Sequence, residues 1–323
     1  MVRFILTLIT IVEGIMKKII LLCLTLLSLS PSVFAIQVGV SIAQMDDVFL
    51  SRLRGYLIEH AKQYPDMTLQ FEDGQGAVDK QLSQVQSFIN GKVDVIIVNP
   101  VDTQGTKNMS DAARKAKVPL IYLNRMPSDS KMGDGISYIG SDEIEAGRLQ
   151  MGYLADMVKD RKNVNIAIMK GLLSNDATRF RTQGAKEVIA KHPNMHVVME
   201  DTAKWMREDG MNLMNNWILT GQKIDILSAN ADEMAIGAAM AIKSNGLNIG
   251  KDILVGGTDG GPNGLQAIKS GLLTVTVFQD AKSQAFGAID MAEKAAKGET
   301  LKDINFIPFQ LVTPQNYQKF ITN

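Results

Sequence analysis

From residue 37 onward, short apolar runs alternate with amphipathic stretches along the chain. The runs at 37–43, 68–72, 93–98, 120–123, 164–169, 197–201, 224–228, 253–256 and 274–278 predict strands. Several are apolar almost throughout rather than at every second position, which is the pattern of a strand covered on both faces. Between them apolar positions recur at helical spacing: Val78, Leu82, Val85 and Ile89 form one stripe, and Ile144, Leu149, Met151 and Leu154 a looser one. Strand–helix–strand alternation of this kind predicts an α/β protein built on parallel sheets with right-handed crossovers. So many strands call for two sheets, and 323 residues are more than one core usually fills.

The first 35 residues follow a different pattern. Met16-Lys17-Lys18 precedes an apolar run from Ile19 to Leu29, then Ser30-Pro31-Ser32-Val33-Phe34-Ala35. A basic start, a short apolar middle, a helix breaker and a small residue predict a secretory signal cleaved after Ala35. The apolar run is shorter than the roughly 20 residues a membrane span needs. A second apolar stretch from Phe4 to Val12, closed by Glu13, reads as an extension upstream of a true start at Met16. Cys23 lies within the signal, behind Leu22 where a lipoprotein site wants a small residue, so no lipid anchor is expected.

Composition narrows the chemistry. Thirty-four Lys and Arg balance 34 Asp and Glu, which argues against a nucleic-acid partner. One cysteine excludes disulfide scaffolds and thiolate clusters, and three histidines leave little for zinc or His-based catalysis. There is no Gly-x-Ser-x-Gly elbow. His192 and His196 are four apart, but Pro193 lies between them and no Glu accompanies them. The segment Gly256-Gly257-Thr258-Asp259-Gly260-Gly261-Pro262 lacks the spacing of a phosphate cradle, and Pro262 suits the first turn of a helix. No metal loop, cofactor motif or catalytic constellation is present, so the expectation is a binding protein and not an enzyme.

In open α/β sheets ligands bind at the carboxyl ends of strands. The polar and aromatic residues there are Asp47, Phe49, Asn124, Arg125, Arg181, Trp205, Asn230, Asp232, Asp259 and Gln279. Carboxylates, arginines and amides between aromatic walls suit a neutral polyol: Asp accepts from vicinal hydroxyls, Arg donates to two, and the C–H face of a ring lies on an indole or phenyl. Taken singly each has a plainer reading. Asp46-Asp47 fits a helix N-cap, Asp259 a turn, and Trp205 a core residue, as Trp217 does. Their shared place at strand ends favours the site.

Several segments resemble the periplasmic monosaccharide-binding proteins of bacterial ABC importers, of the ribose and galactose/glucose type. The resemblance spans nearly all of 37–323. Its carriers are Val38-Gly39-Val40-Ser41 running into Asp46-Asp47-Val48-Phe49, then Asn99-Pro100-Val101-Asp102, Leu123-Asn124-Arg125 and Tyr138-Ile139-Gly140-Ser141-Asp142. Asp201-Thr202-Ala203-Lys204-Trp205, Asn230-Ala231-Asp232-Glu233-Met234-Ala235-Ile236-Gly237-Ala238 and Gly257-Thr258-Asp259 complete the set. The resemblance implies ligand contacts at Asp47, Phe49, Asn124, Arg125, Arg181, Trp205, Asp259 and the hinge amide Gln279. It adds Asn175, which stands where the galactose type carries histidine. Ala231 replaces an asparagine ligand of both types and Ala177 an aspartate of the galactose type, which disfavours glucose or galactose because their hydroxyls would lose partners. The calcium loop of the galactose type is absent from 159–170. The stretch from Asp201 to Phe278 looks most like the inositol-binding branch.

The resemblance implies the type I periplasmic binding protein fold: two similar doubly wound parallel-sheet lobes joined by a three-strand hinge near Gly140, Gln279 and Pro308. The N-lobe would take 36–140 and 280–308, and the C-lobe 141–279 and 309–323. The implied function is that of a monomeric periplasmic protein that closes on a neutral cyclitol or monosaccharide, myo-inositol first, and delivers it to an inner-membrane ABC permease. A ribose or galactose/glucose-type binder and a chemoreceptor-coupled sensor are the alternatives within this class. A repressor effector domain would carry a helix-turn-helix where this chain has its signal, and an enzyme would have only Asp47 and Asp259 as an acid/base pair.

Overall fold

The computed structural model describes Met1, Met16, Lys18, residues 35–128 and residues 131–321. The signal-sequence and Cys23 readings therefore lie outside the described residues, apart from Met1, Met16, Lys18 and Ala35. Among the described residues no helix is long and apolar enough to cross a membrane. Residues 36–323 form one compact unit.

That unit contains two parallel sheets. The first has the order β11-β5-β4-β3-β1-β2, from β1 (Ile36–Ile42), β2 (Met67–Asp73), β3 (Val95–Val98), β4 (Leu120–Asn124), β5 (Ile136–Gly140) and β11 (Ile304–Phe306). All its pairings are parallel. Every residue of β3, β4 and β5 is buried, which accounts for their unbroken apolar runs. At about 1.5–3 kcal/mol for each large apolar side chain, these central strands dominate the stability of the layer. Helices α1 (Val48–Ala61), α2 (Val78–Asn90) and α3 (Lys107–Ala116) make the crossovers. The apolar stripe predicted from Val78 to Ile89 becomes α2, with Val85 and Phe88 in the core.

The second sheet has the order β7-β6-β8-β9, from β6 (Val164–Lys170), β7 (Met195–Thr202), β8 (Ile226–Ala229) and β9 (Leu254–Gly256). Its helices are α4 (Glu143–Met157), α5 (Asp176–Ile189), α6 (Arg207–Leu219), α7 (Asp232–Ser244) and α8 (Pro262–Lys269). Pro262 occupies the first turn of α8, where its missing N–H is not needed. Trp217 is buried in this lobe's core. Strand β10 (Thr276–Phe278) extends the sheet through parallel bridges Gly256–Val275 and Asp259–Phe278, and pairs antiparallel with β12 (Gln310–Val312).

The chain crosses between the lobes three times. It leaves the first sheet after Gly140 into α4, and returns after Phe278 into α9 (Ala281–Ala296), which packs on α1 and the first sheet. It crosses again between β11 and β12. The fold is thus α/β, with two doubly wound parallel-sheet lobes joined by a three-strand hinge. Strand β5 escaped the strand reading because Ser137 and Tyr138 interrupt its apolar run; β11 and β12, at three residues each, are too short to show a period.

Two helix pairs set the geometry of the second lobe through small residues. In α4 and α5, a Cβ on Gly147 would come within 2.0 Å of the Arg181 carbonyl oxygen, and one on Gly184 within 2.1 Å of that of Ile144. In α6 and α7, Gly210 faces the Met234 carbonyl and Gly237 that of Arg207, at 2.4 and 1.9 Å from a built Cβ. Backbone meets backbone at these crossings, so nothing larger than hydrogen fits. The first crossing holds Arg181 and Glu143 side by side over the hinge.

Candidate functional site

Between the lobes lies a cavity of about 180 Å³. This is below the roughly 300–1,000 Å³ of sites that take drug-sized ligands, and it suits a small occupant. From the first lobe, the loop after β1 supplies Asp46 and Asp47, the first turn of α1 supplies Phe49, and the end of β4 supplies Asn124 and Arg125. From the second, α5 supplies Arg181, the loop after β7 Trp205 and Met206, and the loop after β9 Asp259; Gln279 enters from the hinge. Eight of the nine residues expected as ligand contacts therefore line one cavity. Asn175 is buried beside it and does not line it.

Local structure explains the placement. Asp47 is both N-cap and cavity residue: its Oδ1 accepts the Leu50 amide at 2.8 Å and starts α1. Three lining residues have backbones that L-amino acids rarely adopt, namely Asn124 (φ 69°), Trp205 (φ 71°) and Asp259 (φ 129°). Such residues cost of order 1–3 kcal/mol each and persist only where the surroundings hold them. Trp205 rests on Gly171, where a Cβ would fall 2.1 Å from its Cζ2.

Arg181 is the hub of the polar wall. Its Nε donates to Glu143 Oε2 at 2.6 Å, Nη1 to the Asn230 carbonyl at 2.7 Å, and Nη2 to Gln279 Oε1 at 3.2 Å, while Asp259 Oδ1 stands 3.7 Å from Nη1. Burial works against the Arg181 charge, yet Glu143 and then Asp259 outweigh it and hold the group above its ordinary value. Burial pushes the Asp259 carboxyl well up; Arg181 pulls it back in part, and Asp232 and Asp47 push it further. Asp47 is also raised by burial, against the Leu50 amide and Arg125. Arg125 is lowered by burial and supported by Asp47, and its Nη1 donates to the Pro100 carbonyl at 3.0 Å. Asp232 lies behind the wall, pushed up to about 6 by burial; it accepts Gly260 N at 2.8 Å and Thr276 Oγ1 at 2.6 Å, and so shapes the turn that carries Asp259.

Asn124 Nδ2 donates to Gln284 Oε1 at 3.1 Å, and Gln284 Nε2 donates to Ser141 Oγ at 3.1 Å, which ties the site to the first hinge crossing. Ala177 and Ala231 also line the cavity and present methyl groups to it. At the rim Glu233 accepts Arg207 Nε at 2.7 Å and Asn263 Nδ2 at 2.6 Å. Among the described residues no group of three or more His, Cys, Asp or Glu is placed to hold a metal ion. The lining offers half-buried acceptors, fixed donors and two aromatic faces, an arrangement whose chemistry suits hydroxyl groups.

Residues 38–300 match the periplasmic binding protein domain. The chain belongs to the periplasmic binding protein family. A protein of Rhizobium meliloti named for rhizopine binding is 40% identical over 308 residues, covering 94% of this chain and 99% of the relative. A xylitol-binding protein of Mycolicibacterium smegmatis is 30% identical over 281 residues, covering 87% of this chain and 78% of the relative. The crystal structure of an ABC transporter solute-binding protein from Bacillus halodurans with bound myo-inositol superposes with a TM-score of 0.84 at 39% identity, over 91% of this chain and 99% of that one. This periplasmic binding protein is accordingly a solute-binding protein of the sugar-binding class rather than an enzyme.

Sequence reasoning missed Glu143, Met206 and the Arg207–Glu233 pair in this binding protein. Glu143 follows Asp142 in the first turn of α4, where a carboxylate reads as helix capping. Its partner Arg181 is 38 residues away. Only the α4–α5 crossing brings the two together, and its one trace in the sequence is the pair of helical glycines.

Proposed function

We propose that this chain is the periplasmic substrate-binding protein of an ABC importer and that it captures a neutral cyclitol or monosaccharide, myo-inositol first, for delivery to the permease. The observation that carries the reading is the pairing of Phe49 and Trp205 from opposite lobes around a cavity whose acceptors are the half-buried Asp47 and Asp259 and whose donors are the buried Arg125 and Arg181. The likeness to the inositol-bound protein supports the choice of ligand, as do the methyl groups of Ala177 and Ala231, which remove polar partners that hexose binders use.

In this reading residues 36–140 with 280–308 move against 141–279 with 309–323. A ligand that touches both lobes favours the closed form by its differential affinity. Phe49 and Trp205 sandwich the ring, Asp47 and Asp259 accept from vicinal hydroxyls, and Arg125 and Arg181 donate. Nothing is turned over chemically. The mature protein starts after Ala35 and works as a monomer in the periplasm.

Calorimetry with myo-inositol, ribose, galactose and xylitol tests this. Tightest binding to myo-inositol with one site per chain is expected. Tighter binding of ribose or galactose would move the ligand within the class, and binding of none of the four would overturn the reading.

A further inference from the structure

Asn175 joins the two lobes from outside the cavity. It precedes α5 as its N-cap residue and is 1% exposed. Its Oδ1 accepts the indole Nε1–H of Trp205 at 3.0 Å, and its Nδ2 donates to the Val101 carbonyl of the opposite lobe at 2.9 Å. One planar amide therefore spans from the tryptophan wall to the other half of the molecule. A flipped amide would aim its NH2 at the indole N–H and its oxygen at a carbonyl, so both bonds fix one orientation.

Beside it stands Thr103, wholly buried. Its N–H donates to the Ser174 carbonyl at 3.3 Å. Its hydroxyl lies 3.2 Å from that carbonyl and 3.0 Å from Asp176 Oδ1, and accepts the Asp176 N–H at 3.1 Å. On its own side, the Thr103 carbonyl accepts both the N–H and the hydroxyl of Ser128, at 2.8 and 3.1 Å. Thr103 is thus anchored in the first lobe and bonded to Ser174 and Asp176 of the second, the two residues that flank Asn175.

We infer that Asn175 is a positioning residue rather than a ligand contact, and that with Thr103 it forms a latch holding the closed lobes together once Trp205 is seated on a ring. The inference rests on the ring-binding reading above. Trp205 is held in a left-handed backbone against Gly171, and a ring stacked on its face keeps the indole N–H turned to Asn175. Asn175 then presents its NH2 to Val101. Because the latch touches no ligand atom, it lengthens the life of the closed form by the same factor for every ligand.

Two variants separate the arms. Thr103→Val keeps the side chain's shape and removes the hydroxyl; Asn175→Asp keeps an acceptor for Trp205 and loses the donor to Val101. Stopped-flow rates with myo-inositol, and dissociation constants for myo-inositol, ribose and galactose, are the readouts. Each variant should raise the dissociation rate about tenfold, equivalent to about 1.4 kcal/mol, leave the association rate within about twofold, and weaken all ligands alike. Thr103→Ser should restore the parent rate. A change in the ranking of ligands with Asn175→Asp would make Asn175 a ligand contact and overturn the latch. So would an unchanged dissociation rate, or a Thr103→Val defect that Thr103→Ser leaves in place. If the parent protein bound none of the three, the ring-binding reading would fall and the latch with it.

Discussion

Asp259 combines a buried carboxylate, a left-handed backbone and a partner at 3.7 Å that is already committed elsewhere. Folding raises its pKa, so between the unfolded and folded values the native chain holds the extra proton. The stability this contributes is present at low pH and is lost as pH rises through the interval. Asp259→Asn removes the desolvated charge, so the ligand-free variant should melt above the parent, with the gap widening as pH rises above the ordinary carboxylate range. Its affinity should move the other way, falling about 10–100-fold, since hydrogen bonds to charged groups are worth about 1.5–3 kcal/mol. The parent's affinity should also weaken as pH falls, because the ionised carboxylate is the stronger acceptor for hydroxyl donors. Calorimetry in two buffers of different ionisation enthalpy would then report proton release on binding. At this scale the sequence was informative: Asp47, Phe49, Trp205 and Asp259 stand at or beside strand or helix ends that their own neighbours predict, whereas Arg181, expected at a strand end, sits in the second turn of α5. Asn175 was expected as a ligand contact, and its place as a bridge was not readable, because Val101 and Trp205 meet it only in three dimensions.

Among the elements, the α4–α5 crossing matters most to the site. Gly147→Ala would drive a methyl group into the Arg181 carbonyl. Overpacking of this kind costs about 1–3 kcal/mol, or roughly 2–4 °C in melting temperature for each kcal/mol. The helix must also slide, so Arg181 leaves Glu143 and binding weakens. Gly152, on the same helix with open space at its Cβ, is the control: Gly152→Ala should be neutral or stabilising. Thermal melts and calorimetry on the pair check both statements. The elements themselves were legible where burial is two-sided. Strands β3 and β4 show as apolar runs, and α2 as a stripe. The short strands β11 and β12 were not, because their stability comes from partners far along the chain: Ile304 pairs with Tyr138, and Val312 with Thr276.

For the whole molecule, a ring bridging two lobes predicts that ligand compacts the protein. Solution scattering should show a smaller radius of gyration with saturating myo-inositol and no change with a polyol that does not bind. At 100 times its dissociation constant a ligand stabilises by about 2.7 kcal/mol, so the melting temperature should rise by roughly 5–10 °C. A rise without compaction would mean that the ligand binds one lobe alone. The two-lobe architecture follows from length and strand count together with the family resemblance. Which lobe the last segments join could not be read from periodicity, since α9 is an ordinary amphipathic helix whose destination is set by the alanine face it offers to α1.

That α9 and β11 belong to the first sheet bears on how the molecule is made. The strands β6 to β9 are contiguous in the chain and can pair as soon as residue 256 has been synthesised. The first sheet stays without its outer strand until Phe306 emerges, and its apolar face stays uncovered until α9 is complete. The half whose residues leave the ribosome first is therefore the half that matures last.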